Sequence, residues 1–303
     1  MARYTSAMEG IPLGKRVMAF PGPVNLGALI AEKEVLFIDA GLDDGPARKL
    51  WRWAEERGLH PFGAILTHAH ADHFGGAHVW EKRGLPLFSS ALEGAMMEHP
   101  LFEPILLFGG ASPHPDLLGK FTLAAPCQIS GKLGPGKVEL GPFEVEIVAL
   151  PGHAPAQIGV RFDGVLFCAD ALFPSQILQK HPIPFCYDLD QTFSSLSELQ
   201  VETVVPGHGP ILSGANLRAE IQAFRERLEE IRGLVLSALD LPKTAEEIVR
   251  YVASALGEEL RTLSSFLLVR TTILAALTSL VRAGQAQAIL EENRLLWKRS
   301  GNG

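Results

Sequence analysis

Three histidines and one aspartate are crowded into six consecutive residues, and their side chains could bind metal ions. The four residues are His68, His70, Asp72 and His73. They lie between the apolar run 64–66 and the pair Gly75-Gly76, which is typical of a turn from a strand to a helix. Neutral imidazole nitrogens and carboxylate oxygens suit zinc, and also iron or manganese. We therefore predict a metal site at this turn.

Two more histidines and an aspartate follow other β-rich runs. They are His153 after Pro151-Gly152, Asp170 after Cys168-Ala169, and His208 within Pro206-Gly207-His208-Gly209. Glycine and proline near a strand end can hold such a side chain turned inward. Because four ligands in one turn cannot complete two metal shells, we expect these three residues to complete the site.

The elements that must position these residues alternate between β-rich and helix-like runs. We predict strands at 17–20, 26–30, 35–38, 64–66, 85–88, 138–140, 143–148, 158–161, 165–167 and 203–205, with helices at 45–58, 75–82 and 190–199. Tight turns at Asp163-Gly164 and Gly141-Pro142 favour hairpins, and hence mixed rather than parallel sheets. The pattern indicates an α/β fold with two layers.

The pattern changes to helices after Gly214. Apolar residues spaced by three and four over 217–235 indicate a long amphipathic helix, and Thr244 with Glu247 forms a capping-box signal for a second. A third helix is predicted at 263–282, followed by a hairpin of strands 288–290 and 295–297. We therefore predict a first domain at 1–214 and a winged-helix-like domain at 215–303.

Residues 94–136 fit neither pattern. They contain an apolar run ending at Phe108 and then the Gly/Pro-rich segment 109–115. We interpret the segment as an excursion packed on the first domain, with a substrate lid as the alternative.

Composition limits the classes of function. The 303 residues are 47% hydrophobic and 20% charged, as in globular proteins, and the net charge of −7 offers no general attraction to nucleic acid or anionic lipid. Three cysteines outside any CxxC pair indicate neither a disulfide framework nor a thiolate zinc site. With no signal-peptide pattern and no uninterrupted apolar run of membrane-span length, we expect a cytoplasmic protein with no membrane partner.

The order HxHxDH, Gly-His, Asp and Pro-Gly-His-Gly resembles the metallo-β-lactamase superfamily over residues 22–214. The resemblance implies an αββα sandwich. Because Asp170 stands where lactamases commonly have cysteine, the sequence is more similar to the glyoxalase II group and the β-lactamase-like endoribonuclease group. The predicted tail resembles that of the second group.

The resemblance implies a centre of two divalent ions, with zinc favoured over iron or manganese. His68, His70 and His153 would hold the first ion, and Asp72, His73 and His208 the second. Asp170 would bridge the two. Asp39 matches an acid that lies close to the site in the family, although a turn residue at a strand end is an equal interpretation.

Two motifs depart from the family pattern. Relatives often carry Gly-His-Thr-Pro-Gly and a Gly-Asp pair, whereas this chain has Ala154 and Ala156 in the first motif and Ala169 before Asp170 in the second. The ligand types are kept but a hydroxyl is lost, which leaves the orientation of His153 open.

Two such ions would lower the pKa of a shared water and supply hydroxide as the nucleophile, while one ion polarises the attacked oxygen. Asp72 could orient the nucleophile and accept its proton. Lys180, His181 and Tyr187, in the segment after Asp170, are candidate substrate contacts or leaving-group acids.

Three functions remain open at this point. The favoured one is hydrolysis of a small ester, thioester or lactone. The first alternative is an endoribonuclease or phosphodiesterase, which the tail disfavours because residues 216–303 carry 12 Lys and Arg against 11 Asp and Glu. The second is a persulfide dioxygenase with one iron. We expect a small-molecule substrate, and we assign the tail to packing or homodimerisation.

Overall fold

The computed structural model describes residues 8–300, and two mixed β-sheets lie at its centre. The first sheet has seven strands in chain order: Ile11–Pro12 (β1), Val17–Phe20 (β2), Leu26–Ala31 (β3), Glu34–Ile38 (β4), His60–Ile65 (β5), Leu87–Ser89 (β6) and Gly131–Lys132 (β7). Strands β1 to β4 pair antiparallel, and β4 to β7 pair parallel.

The second sheet has six strands in the order β13-β12-β11-β10-β9-β8. They are Gly136–Leu140 (β8), Phe143–Ala149 (β9), Ile158–Phe162 (β10), Val165–Ala169 (β11), Thr203–Pro206 (β12) and Leu212–Ser213 (β13). Only β11 and β12 pair parallel within it. The prediction of mixed sheets in two layers is confirmed.

Helices pack around the two sheets and on one another. They are Asp44–Glu55 (α1), Ala71–Phe74 (α2), Ala77–Glu81 (α3), Ala91–Glu98 (α4), Phe102–Leu107 (α5), Ser175–Leu178 (α6), Leu189–Ser195 (α7), Gly214–Ala238 (α8), Ala245–Ala255 (α9) and Leu263–Arg282 (α10). Short 3₁₀ turns lie at Pro115–Leu117 and Leu196–Leu199. One apolar core fills the space between the sheets, one lies under α1 and α3, and one lies under α8. This is the αββα arrangement that the resemblance implied.

The helix predicted at 75–82 was wrong in its extent. Only Ala77–Glu81 of it is helical, as α3, and Gly75 and Gly76 separate α3 from the preceding short helix α2. A Cβ on either glycine would overlap backbone oxygen atoms of the loop before α1, so the break allows close packing there. The 190–199 helix likewise ends at Ser195 and continues as a 3₁₀ turn.

The C-terminal part consists of α8, α9 and α10 followed by the hairpin of Ala286–Glu291 (β14) and Arg294–Arg299 (β15). Its elements lie where the sequence predicted them. One apolar core runs from Val148 through Leu172 to Ile273, so it continues across position 214. The domain boundary and the winged-helix class stay predictions.

Helix α10 is long and apolar enough to cross a membrane, but half of its most apolar window is buried inside the fold. Residues 94–136 pack on the body of the protein, with Met97, Leu107, Leu117 and Cys127 buried, as the excursion interpretation predicted. All three cysteines are free and buried.

Candidate metal centre

The seven predicted ligands follow the carboxyl ends of four strands. His68, His70, Asp72 and His73 follow β5, His153 follows β9, Asp170 directly follows β11, and His208 follows β12. Open α/β sheets commonly bind ligands at this edge of their strands. The fold therefore brings residues that are far apart in sequence to one place.

A first group consists of His68, His70 and His153. One nitrogen from each ring lies within 4.8 Å of the others. Nδ1 of His70 and Nε2 of His153 face each other at 2.7 Å. These are the three residues that the resemblance assigned to the first ion.

A second group consists of Asp72, His73 and His208, whose ligand atoms also lie within 4.8 Å of one another. Nε2 of His208 lies 3.3 Å from Oδ2 of Asp72. The second set of residues that the sequence predicted is likewise brought together.

Asp170 lies between the two groups. Its Oδ1 is 3.3 Å from Nε2 of His73, and its Oδ2 is 3.5 Å from Nε2 of His153 and 3.4 Å from Nε2 of His208. One carboxylate thus reaches both groups, as expected for a shared ligand. The backbone at Ala169 has φ of 47°, a left-handed conformation that favours the glycine relatives often carry there.

Oxygen atoms behind the rings of His68, His153 and His208 fix the direction in which these imidazoles face. Nδ1 of His68 lies 3.1 Å from Oγ1 of Thr67, and Nδ1 of His208 lies 2.7 Å from the carbonyl of Pro23. Nδ1 of His153 lies 3.1 Å from the carbonyl of Phe185. An Nδ1–H donated to such an oxygen leaves Nε2 free to face the centre.

Asp39 organises the turn that carries four of the predicted ligands. Its Oδ2 lies 2.7 Å from Nδ1 of His73 and accepts from Oγ1 of Thr67, while its Oδ1 accepts from the backbone N–H of Thr67. Of the two interpretations of Asp39, the contacts favour the acid that lies against the site.

Sequence reasoning missed Glu93, which joins two ligand loops. Its buried carboxylate accepts the N–H of Ala69, between His68 and His70, and the N–H of Ala156 in the His153 loop, at 3.0 and 2.8 Å. The only sequence signal is Ser90-x-x-Glu93, which resembles a helix capping box and suggests a purely local role.

Aromatic rings and a further acid border the centre. The ring of Phe185 packs edge-on against His70 and His153, and that of Phe173 stacks on His208. Burial, with smaller contributions from the charges of Asp72 and Glu93, raises the pKa of half-buried Glu103 well above its usual value. Lys180, His181 and Tyr187 are exposed on the segment that carries Phe173 and Phe185, and their role stays a prediction.

Protonation differs between the two groups. Burial, with a further contribution from the His153 charge, lowers the pKa of His70 to about 3, and burial holds that of His68 well below normal. For His208, burial would lower the pKa, but Asp170 and Asp72 raise it to about 10. For Asp72, burial would raise the pKa, but His73 and His208 lower it to about 2. Carboxylates therefore concentrate around the second group.

The donor set fits divalent metal ions. Within residues 8–300, Nε2 of His68, Nε2 of His73 and Oδ1 of Asp170 are buried without hydrogen-bond partners. Buried polar atoms normally have partners, so three such atoms converging on one place indicate a cation. Gly207 leaves the room for them, because a Cβ there would overlap Oδ1 of Asp170 and lie 2.8 Å from Cε1 of His73.

Comparison with known families assigns the chain. The sequence profile of the metallo-beta-lactamase superfamily matches residues 19–208, which include all seven clustered residues. The chain belongs to this superfamily. Metallo-beta-lactamase superfamily members bind metal ions, in agreement with the His/Asp groups described above.

Curated relatives of this metallo-beta-lactamase superfamily chain are named as hydrolases. It is 30% identical to the probable metallo-hydrolase YqgX of Bacillus subtilis over 62% of this chain and 87% of that protein. It is 26% identical to the acyl-coenzyme A thioesterase MBLAC2 of Gallus gallus, over 61% and 72%. It is 28% identical to a hydroxyacylglutathione hydrolase of Nitrosomonas europaea, but spans only 40% of that protein and 44% of this chain.

A solved metallo-beta-lactamase-type structure shares the fold beyond the matched region. The crystal structure of a beta-lactamase domain protein from Burkholderia ambifaria superposes with a TM-score of 0.75 at 20% identity. The superposition covers 97% of this chain and 94% of that one, so the C-terminal part is included. Its superfamily and the hydrolase and thioesterase relatives make the chain a metal-dependent hydrolase.

Proposed function

We propose that this protein is a hydrolase with two divalent metal ions, for which zinc is favoured. His68, His70 and His153 would hold one ion, and Asp72, His73 and His208 the other. The observation that carries the proposal is the position of Asp170, whose carboxylate reaches imidazoles of both groups. A single closed metal site would not need a second complete ligand group beside it.

Bound divalent ions would polarise the scissile carbonyl and activate the attacking water. Asp72, which is more exposed than Asp170, would orient that water and accept its proton. Phe173 and Phe185 would exclude bulk water from the imidazoles they cover. No serine or cysteine nucleophile is required.

We propose a thioester as the substrate, ahead of other small esters and lactones. The support is that relatives include an acyl-coenzyme A thioesterase and hydroxyacylglutathione hydrolases. The RNA alternative loses support because both arginines of α10 are already paired. Arg270 forms an ion pair with Glu246. Arg282 forms ion pairs with Asp188 and Asp190. Paired arginines are poorly placed to bind phosphates.

The test is elemental analysis of the purified protein together with a substrate panel. The panel contains an acylglutathione, an acyl-coenzyme A, a lactone, bis(p-nitrophenyl) phosphate and single-stranded RNA. We expect two divalent ions per chain and turnover of the thioesters. Asp170→Asn should lose metal and turnover while it melts close to the temperature of the metal-free wild type, because the amide keeps the shape but not the charge.

Two results would overturn parts of this proposal. Cleavage of RNA with inert thioesters would replace the substrate class. One iron per chain, with oxygen consumption on a persulfide, would replace the two-ion hydrolase with the dioxygenase alternative.

A further inference from the structure

The C-terminal helix α10 reaches into the loop beside the metal centre through Thr272. This side chain is fully buried. Its Oγ1 accepts the backbone N–H of Cys186 at 3.0 Å and donates to the carbonyl of Pro184 at 2.9 Å. The carbonyl of Leu268 within α10 is farther away, at 3.5 Å, so the hydroxyl proton is directed at the loop.

The residue between these two partners is Phe185, and it contacts the metal centre twice. Its carbonyl faces Nδ1 of His153 at 3.1 Å. Its ring packs on His70 and His153, with ring centroids 5.2 and 5.4 Å apart. Because Thr272 fixes the peptide groups on both sides, the direction of the Phe185 carbonyl depends on α10.

That carbonyl decides which nitrogen of His153 faces the other ligands. A proton on Nδ1, donated to the Phe185 carbonyl, leaves the lone pair of Nε2 directed toward His70 and Asp170. Partners of this kind raise the affinity of a histidine for a metal ion by holding its tautomer and ring orientation.

We propose that Thr272 is a positioning residue for His153, so that the C-terminal part contributes to the metal site of the first part. The inference rests on the proposed function in one respect, the assignment of His153 as a ligand.

A matched control lies on the same helix. Ser279 is also buried, and its hydroxyl donates to Oδ1 of Asp190 at 2.6 Å, at the start of α7. It links α10 to the first part of the chain without contacting the residues around Phe185. Thr272→Val and Ser279→Ala therefore each remove one buried hydroxyl between the same two parts.

The experiment uses the full-length chain stripped of metal and titrated with Zn²⁺ against a chromophoric chelator. Thr272→Val should weaken the affinity for one of the two ions by about 10- to 100-fold, the range typical when the partner behind a metal-binding histidine is lost. It should also change the visible absorption of the cobalt-substituted protein. Ser279→Ala should lower the melting temperature but keep the zinc affinity and the cobalt spectrum. Thr272→Ser, which keeps a hydroxyl, should have the zinc affinity and cobalt spectrum of the wild type.

Two results would overturn the inference. One is a Thr272→Val protein whose zinc affinity and cobalt spectrum match those of Ser279→Ala. The other is a Thr272→Ser protein as impaired as the valine variant. If the valine variant does not fold, Thr272→Ala carries the same comparison without the β-branched side chain.

His153→Ala separates this inference from the proposed function. If that variant binds two ions as tightly as the wild type, the ligand assignment is wrong and the inference falls with it. If it loses one ion while Thr272→Val keeps both at wild-type affinity, only the positioning role is wrong.

Discussion

The oxygen atoms that orient the imidazoles of the candidate centre belong to residues that are either adjacent in sequence or very distant. Thr67 is the direct neighbour of His68, whereas Pro23 is 185 residues from His208 in sequence. The clustering of the seven predicted ligands could be predicted because the first four share one turn and the others follow strands. Their orienting partners could not, because a backbone carbonyl such as that of Pro23 leaves no trace in residue type.

Glu93 provides the first prediction. Its two carboxylate oxygens accept from Ala69 and Ala156, so Glu93→Gln places an NH₂ group against one of those N–H donors. We expect a loss of about 1–3 kcal/mol in the free energy of unfolding and a fall in kcat of about 10- to 100-fold. Urea unfolding and steady-state kinetics measure the two effects.

Glu98→Gln is the matched control. Glu98 lies on the same helix and its carboxylate also accepts a backbone N–H, that of Ile129, but in the loop beyond the site. Its kcat should stay at the wild-type level. Equal losses of kcat in the two variants would mean that Glu93 only stabilises the fold.

Gly207 provides the second prediction. The methyl group of Gly207→Ala would occupy the position of Oδ1 of Asp170, so the carboxylate must move out of the shared position. We expect loss of bound metal and of turnover. Gly134→Ala, with nothing within 4 Å of the new methyl group, should keep both. Wild-type metal content in the Gly207 variant would show that Asp170 is not a shared ligand.

Helices whose ends carry local signals were predicted well. Helix α10 spans the predicted residues, and Gly284 follows it with φ of 69°, in the left-handed conformation typical after a helix end. The helix predicted at 75–82 begins two residues later, at Ala77, because Gly75 and Gly76 pack against the loop before α1, a contact that no local pattern encodes. The contact of Thr272 with the loop around Phe185 could not be predicted for a similar reason: a threonine in an apolar helix does not indicate which distant backbone its hydroxyl contacts.

The exposed arginines of α10 provide the third prediction, at the scale of the element. Arg270 pairs with Glu246 at 3.0 Å on the surface, an interaction worth about 0–1 kcal/mol. Arg270→Ala should therefore leave thioester turnover unchanged and leave binding of single-stranded RNA as weak as in the wild type. Fluorescence anisotropy at physiological salt measures the RNA binding; a tenfold loss of affinity would restore the nuclease alternative.

The charges of the whole centre make the stability of the metal-free protein depend on pH, which is the fourth prediction. The pKa of His70 is lowered to about 3 from 6.5, so the unfolded chain binds more protons below about pH 6.5 and stability falls as the pH drops. The pKa of His208 is raised to about 10, so the folded chain keeps a proton that the unfolded chain loses above about pH 6.5. We expect greatest stability near pH 6.5.

Chemical unfolding in the presence of a chelator, from pH 4 to pH 10, measures this profile. His208→Asn removes one group that keeps its proton up to alkaline pH. The free energy of unfolding of this variant should therefore fall less steeply above pH 6.5. A wild-type profile that rises steadily to pH 10 would contradict the assignment of the second group.

The apolar core that continues across position 214 has a consequence for how the molecule comes apart. Side chains such as Leu172 and Ile273 belong to one buried cluster, so neither half can lose its structure without exposing the other to water. Calorimetry should accordingly record a single cooperative unfolding transition. Residues 215–303 should not fold correctly when they are exchanged for the C-terminal part of a relative, because the shared core would no longer match.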